Sequence, residues 1–270
     1  MKHNTIAFQG EHGAYSEEAA YKLLGDKIFT WPRPTFESVF ESVTSGKCDY
    51  GIIPIENSSI GSIHQNYDLL LKYNLFITDE ITIPINHCII ALTKIRIANF
   101  EYIYSHPAAL AQCNRFITKH PGIKAIYYYD TAGAAKMVKE SGKKNLAAIA
   151  SAYAADKYRL NVIKHSIQDN KNNRTCFFLI GRKLIIRKTS SVTSLVFSVV
   201  DNSDTLAKVI LMMSTNNVNI KKIESRTNRR NRKQKIYLID IEASLPDIRI
   251  KRIVKQLPKF TQSFKILGSY

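Results

Sequence analysis

The sequence predicts an α/β chain built in two parts, and three observations carry that expectation. In the first 160 or so residues, apolar runs repeatedly stop on Ser, Asp, Asn or Gly and lead into helical stretches. Basic charge is concentrated beyond residue 181. The last 80 or so residues then order as strand, helix, strand, strand, helix, strand.

The strand-to-helix junctions come in order along the chain. Ile6-Ala-Phe8 runs into Gly10-Glu-His-Gly-Ala-Tyr-Ser16 and a helix from Glu17 to Leu24. Tyr50-Gly-Ile-Ile-Pro-Ile55 ends on Glu56, and Asn57, Ser58 and Ser59 fit the first turn of a following helix. Tyr102-Ile-Tyr104 meets Ser105, suited to cap a helix with Pro107 in its first turn. Ala125 to Tyr129 leads into Asp130-Thr131 and a helix from Ala132 to Val138, and Ala147 to Ala150 into Ser151 and a helix to about Tyr158. Helix N-termini expose backbone N–H groups and the positive end of the dipole, so they favour anions. In open α/β sheets, ligands bind at these strand ends.

Composition bounds the remainder. At 270 residues and 45% hydrophobic content, the chain can bury one large core or two smaller ones. No run approaches the roughly 18 apolar residues of a membrane span. Met1-Lys-His-Asn4 moves directly into a strand, so a cytoplasmic protein without membrane attachment is expected. Cys48, Cys88, Cys113 and Cys176 are well separated and show no C-x-x-C spacing, so neither a disulfide framework nor a metal site is expected.

Residues 1–181 hold 20 Lys and Arg against 16 Asp and Glu, whereas residues 182–270 hold 19 against 6. That shift places a domain boundary after Phe178-Leu-Ile-Gly181, with a polar linker over 182–192. In the following domain, 193–270, the strand and helix order βαββαβ is the ferredoxin-like arrangement. The basic run Arg226 to Lys235 falls between paired strands and lacks interleaved aromatic residues. It is read as a solvated hairpin loop in preference to a nucleic-acid patch.

Several ordered motifs together resemble prephenate dehydratases. They are Ile6 to Ser16, Pro54-Ile-Glu-Asn-Ser58 with Gly61-Ser62, Tyr104 to Cys113, Asp130-Thr-Ala-Gly-Ala-Ala135, and Ile167-Gln-Asp-Asn170 through Thr175-Cys-Phe177. Glu224-Ser-Arg226 and Leu267-Gly-Ser-Tyr270 resemble the ACT regulatory domain that follows the catalytic part in that family. Gln9-Gly-Glu11 with Asp130 to Gly133 looks closest to alphaproteobacterial members. The resemblance implies a bilobal, periplasmic-binding-protein-like catalytic domain over 1–181, made of two α/β subdomains. The chain would cross between them near 80–90 and return near 170–180, with an ACT domain over 193–270.

It also implies conversion of prephenate to phenylpyruvate, water and carbon dioxide on the route to phenylalanine, without a cofactor. Phenylalanine would be an allosteric effector, and the chain a homo-oligomer, dimer or tetramer. Thr175 matches the family's catalytic hydroxyl residue and is expected to donate a hydrogen bond to the leaving hydroxyl. Glu56, Asn57, Ser58, Ser105, Gln112 and Phe177 are the expected substrate-binding residues. Asp204, Thr205, Leu206, Asn219, Glu224, Ser225 and Arg226 are the expected effector-site residues. His106 is expected to cap or pack under a helix start, and His87 to be a strand residue at the crossover.

Two departures from the family pattern stand out. Cys176 occupies the position of an Arg that would clamp a carboxylate, which leaves open a binding or sensor protein that has lost turnover. Asp204-Thr-Leu206 stands where members commonly carry Gly-Ala-Leu, and Thr227 where they carry Pro; a carboxylate there should weaken phenylalanine sensing. Arogenate is an alternative substrate.

Overall fold

The computed structural model describes residues 3–200, 203–227 and 234–270. They divide into two compact units, Met1–Tyr73 with Ile81–Leu179, and Asn74–Glu80 with Ile180–Tyr270. Residues 228–233 of the basic run lie outside the described residues.

The first unit begins with β1 (Asn4–Gln9), α1 (Tyr15–Leu24), β2 (Ile28–Arg33), α2 (Phe36–Thr44), β3 (Tyr50–Asn57), β4 (Gly61–Ser62), α3 (His64–Lys72) and the latter half of β5 (Phe76–Pro84). A second lobe follows, with β6 (Cys88–Ala91), β7 (Tyr102–Ser105), α4 (Pro107–Gln112), α5 (Asn114–Thr118), β8 (Lys124–Tyr127), α6 (Thr131–Ser141), β9 (Leu146–Ala150), α7 (Ala152–Tyr158) and β10 (Asn161–Lys164). The chain then returns to the first lobe as β11 (Arg174–Gly181). In the first lobe the strand order is β5-β11-β3-β1-β2, with β1 parallel to both β2 and β3. In the second it is β10-β6-β9-β7-β8.

β9 shows why the second lobe folds this way. All five residues of Leu146-Ala-Ala-Ile-Ala150 are buried. Ala147 and Ile149 pack with Leu110 and Phe116 from one side, while Ala148 and Ala150 pack with Ala134, Val138 and Ala154 from the other. A strand covered by helices on both faces has no polar face, hence the unbroken apolar run.

Local capping differs from expectation at two junctions. No helix starts at Asn57: β3 turns through Ser58–Ile60 into β4, and Gly61 takes a φ of 86° that favours glycine. Asn57 Oδ1 accepts from the Ser59 and Ile60 N–H groups (2.9 and 3.2 Å), an Asx-type turn offering the same local bonds as a helix cap. At α4 the cap is His106, whose Nδ1 accepts from Ala108 N–H at 3.2 Å. Ser105 stays within β7 and donates to the Ile149 carbonyl at 2.6 Å. Asp130 and Ser151 do cap α6 and α7.

The second unit holds β12 (Thr193–Val200), α8 (Ser203–Thr215), β13 (Ile220–Thr227), β14 (Gln234–Ile241), α9 (Ile248–Gln256) and β15 (Ser263–Ser269). Its antiparallel order β13-β14-β12-β15 gives the ferredoxin-like βαββαβ topology. Leu195, Phe197, Ile239 and Ile241 from the sheet close a core with Val209, Met213, Ile250 and Ile253 from the helices. Segment 74–80 belongs to this unit through pairing of Ile77 with Gly268. A Cβ at Gly268 would lie 2.2 Å from the Ile77 carbonyl oxygen, so only glycine fits. Among the described residues no helix is long and apolar enough to cross a membrane.

Candidate active site

The two lobes of the first unit enclose a cleft of about 540 Å³, within the usual size of small-molecule sites, roughly 300–1,000 Å³. Strand ends and helix starts build it. The first lobe contributes Tyr15 and Ser16 from α1, Thr35 and Phe36 at the start of α2, Asn57 at the end of β3, and Thr175 and Phe177 from β11. From the second come His106, Ala108 and Gln112 around α4, and Asp130 and Thr131 at the start of α6. His87 lies in the crossover between β5 and β6, outside either strand.

Polar groups are joined across the lobes. Asn57 Nδ2 donates to Thr175 Oγ1 and Asn173 Oδ1, both at 2.8 Å, and lies 3.1 Å from the Arg174 carbonyl. Asn173 Nδ2 donates to Gln112 Oε1 at 3.0 Å, and His87 Nε2 lies 2.9 Å from the same oxygen. On its other side His87 Nδ1 is 3.2 Å from the Tyr15 hydroxyl, which donates to the Asn86 carbonyl at 2.8 Å. The backbone of His87 is fixed as well: its N–H donates to Gln168 Oε1 at 3.0 Å and its carbonyl accepts from Ile167 N–H at 2.9 Å.

Thr175, Asn57, Gln112 and Phe177 therefore converge on one cleft, and three other expected contacts do not. Glu56 lies beside Asn57 but pairs with Ser62 of β4 and does not line the cleft. Ser58 is turned to the returning chain, accepting from Arg174 N–H at 2.9 Å. Ser105 is fully buried and bonded to Ile149. Cys176 is also absent from the lining, because Thr175 and Phe177 share one side of β11 and the residue between them faces the other. Sequence reasoning missed Ser16, Thr35 and His87. Thr35 carries a recognisable signal, a capping box with Ser38, which would have marked β2 to α2 as another strand-to-helix junction.

Among the described residues lining the cleft, none is Lys or Arg. Helix N-termini, which carry the positive ends of their dipoles, open onto it. Thr35 and Asp130 cap α2 and α6, while α1, which brings Tyr15 and Ser16 to the cleft, has no side-chain cap. Burial raises the Asp130 carboxyl despite N–H bonds from Gly133, Ala132 and Glu11. It also lifts the Tyr15 phenol well above its ordinary value and lowers the His87 imidazole against the opposing bond to Gln112. Tyr15 and His87 are accordingly neutral at pH 7.

In the second unit, Asp204, Thr205 and Leu206 occupy the opening of α8, with Asp204 exposed and Leu206 packed on the core. Glu224, Ser225 and Arg226 lie near the end of β13. β12 and β13 both run antiparallel to β14, so Ser225 and Arg226 lie toward the end of the sheet where α8 starts, with Glu224 at mid-strand opposite Leu238. Asn219 does not join them: it precedes β13 at the opposite end, where its Nδ2 donates to Glu242 Oε2 at 3.3 Å.

A family model for prephenate dehydratase matches residues 6–184. Arogenate dehydratase/prephenate dehydratase 1, chloroplastic, of Arabidopsis thaliana is 38% identical over 281 residues, covering 98% of this chain and 71% of that protein. The structure of prephenate dehydratase from Arthrobacter aurescens in complex with L-Phe superimposes with a TM-score of 0.89 at 26% identity, covering 98% of this chain and 89% of that one. A chain described as GqqA, a novel type of quorum quenching acylase, also superimposes with a TM-score of 0.89, at 31% identity and 98% and 97% coverage. With the family model spanning well over half its length, this chain belongs to the prephenate dehydratase family.

Proposed function

We propose that the cleft carries out the reaction for which the family is named, converting prephenate to phenylpyruvate in phenylalanine biosynthesis. The observation that carries this reading is the placement of the Thr175 hydroxyl in the cleft with its oxygen already accepting from Asn57. Because that oxygen accepts, the hydroxyl proton is available for a second partner.

The chemistry asks little beyond anchoring and one donor. As the ring carboxylate leaves as carbon dioxide, its bonding electron pair moves into the ring and expels the hydroxyl at the far carbon. That hydroxide takes up a proton from solvent and departs as water, leaving an aromatic ring. Thr175 supplies a hydrogen bond to the departing oxygen; a threonine hydroxyl is too weak an acid to give up its proton outright at pH 7. Asn57 holds Thr175 in place. Gln112 and the opening turn of α1, with Ser16, face the substrate carboxylates, and Phe177 offers an apolar wall to the ring. Cys176, turned from the cleft, gives no reason to favour a protein that has lost turnover.

The ferredoxin-like unit is read as an ACT domain that binds phenylalanine and joins copies of the chain into a homo-oligomer in the cytoplasm. The phenylalanine complex of the Arthrobacter aurescens relative supports that reading. Arogenate is included as a second substrate because the Arabidopsis thaliana relative is named for both activities. Purified full-length protein should be supplied with prephenate and arogenate separately, and the products followed by chromatography. Phenylpyruvate from prephenate is the expected result; conversion of neither substrate would overturn the proposal.

A further inference from the structure

The hydrogen bonds around Thr175 can be assigned a direction one after another, starting from groups that can only donate. Backbone N–H groups of Ser59 and Ile60 point at one atom of the Asn57 amide, so that atom is the oxygen and the NH₂ faces Asn173 and Thr175. The Asn173 atom facing this NH₂ must be oxygen, which turns its own NH₂ toward Gln112. The Gln112 atom that receives it is again oxygen. His87 Nε2 lies 2.9 Å from that same oxygen, and an amide oxygen cannot donate. His87 must therefore carry a proton on Nε2.

Two consequences follow for the cleft. With its oxygen held by both Asn173 and His87, Gln112 has only its NH₂ left to offer a ligand. Thr175, with its oxygen accepting from Asn57, likewise has its hydroxyl proton to offer. Both cleft side chains are thus set as donors, as an anionic substrate requires where no Lys or Arg lines the site among the described residues. An unprotonated Nδ1 can accept from the Tyr15 hydroxyl 3.2 Å away, which shares its one proton between this nitrogen and the Asn86 carbonyl at 2.8 Å. Burial of both rings keeps them neutral, in agreement with this assignment.

The geometry points to His87 as a positioning residue for the dehydratase reaction: its Nε2–H fixes Gln112 with the amide NH₂ toward the substrate. This role rests on the function proposed above and adds a residue that acts through Gln112 without touching the reacting atoms. Loss of the His87 donor leaves Gln112 oriented by Asn173 alone.

Two measurements test it. In protein labelled with ¹⁵N-histidine, the long-range imidazole spectrum of His87, assigned by its loss in His87→Gln, should show the proton on Nε2 and an unprotonated Nδ1 near neutral pH. A neutral ring carrying its proton on Nδ1 would overturn the inference. In steady-state assays His87→Leu should lower kcat/KM about tenfold, the scale of one neutral hydrogen bond. His87→Gln, which can carry an amide N–H to the same point, should stay within about threefold of the unsubstituted protein. Equal activity of His87→Leu and the unsubstituted protein, or equal impairment of the two variants, would refute it. If His87→Leu does not fold, the tautomer decides. Absence of dehydratase activity in the unsubstituted protein would instead overturn the proposed function and leave the tautomer assignment standing.

Discussion

Replacing Thr175 by alanine removes a cleft hydroxyl whose oxygen accepts from Asn57 and whose proton is left to donate. In the folded protein the side chain is 6% exposed and bonded to Asn57 Nδ2 at 2.8 Å, so two effects must be separated. Asn57 loses one acceptor but keeps Asn173 Oδ1 at 2.8 Å and the Arg174 carbonyl at 3.1 Å, which limits the stability cost to about 1–2 kcal/mol. The catalytic cost is larger. Removing a preorganised donor from a developing negative charge lowers turnover by about 10²–10³, or about 2.7–4 kcal/mol of transition-state stabilisation. Steady-state formation of phenylpyruvate should therefore show kcat reduced by two to three orders of magnitude, with KM changed only a few-fold and thermal unfolding still cooperative. Thr175→Ser should regain most of the loss. A kcat within about fivefold of the unsubstituted protein, or a serine variant as slow as the alanine one, would refute the assignment of this hydroxyl.

Further outcomes follow from the same structure. Cys176→Arg should leave KM for prephenate within about twofold, because residue 176 faces away from the cleft that Thr175 and Phe177 line; a tenfold fall would mean that the guanidinium reaches the substrate. The exposed Asp204 carboxylate at the start of α8 should make phenylalanine a poor inhibitor, with partial recovery in Asp204→Gly; tight calorimetric binding with strong inhibition of the unsubstituted protein would contradict this. Burial pushes the Glu17 carboxyl up, but the Gly13 N–H, His12, the Thr30 hydroxyl and Lys157 together hold it below its ordinary value of 4.5. A depressed folded pKa stabilises the protein above pH 4.5, and that stabilisation is lost as the pH falls through the folded value. Glu17→Gln should cost about 2 kcal/mol in denaturant titrations at pH 7, a gap that narrows in acid; a gap that widens in acid would reverse the sign of this account.

Capping and burial patterns make much of the fold legible in sequence, because both are local. Asp130 and Ser151 act as caps in the structure as their sequence neighbours suggest, and the last unit keeps the βαββαβ order expected from its sequence. Local chemistry also explains the misreadings. An asparagine that caps a helix and one that closes an Asx turn make the same short-range bonds, so Asn57 fits both. Ser105 and His106 can each cap, and only Pro107 at the first helical position distinguishes them. His87 is harder to find: its partners Tyr15 and Gln112 lie 72 and 25 residues away, and its role depends on bonds reaching Asn57 through Asn173. No spacing in the sequence encodes that path. Thr175 and Phe177 were accessible through their motif, whereas the turning of Cys176 away from the cleft depends on strand alternation once β11 is placed.

In the proposed reaction the cleft removes both the ring carboxylate and the ring hydroxyl from one substrate molecule. The most direct test is the stoichiometry of the reaction catalysed by the full-length protein with prephenate, measuring carbon dioxide and phenylpyruvate in the same vessel. One molecule of each per prephenate consumed is expected, at a rate that depends on enzyme concentration and collapses in Thr175→Ala. Prephenate left unconsumed above its spontaneous breakdown, or consumed without equimolar release of carbon dioxide and phenylpyruvate, would contradict it.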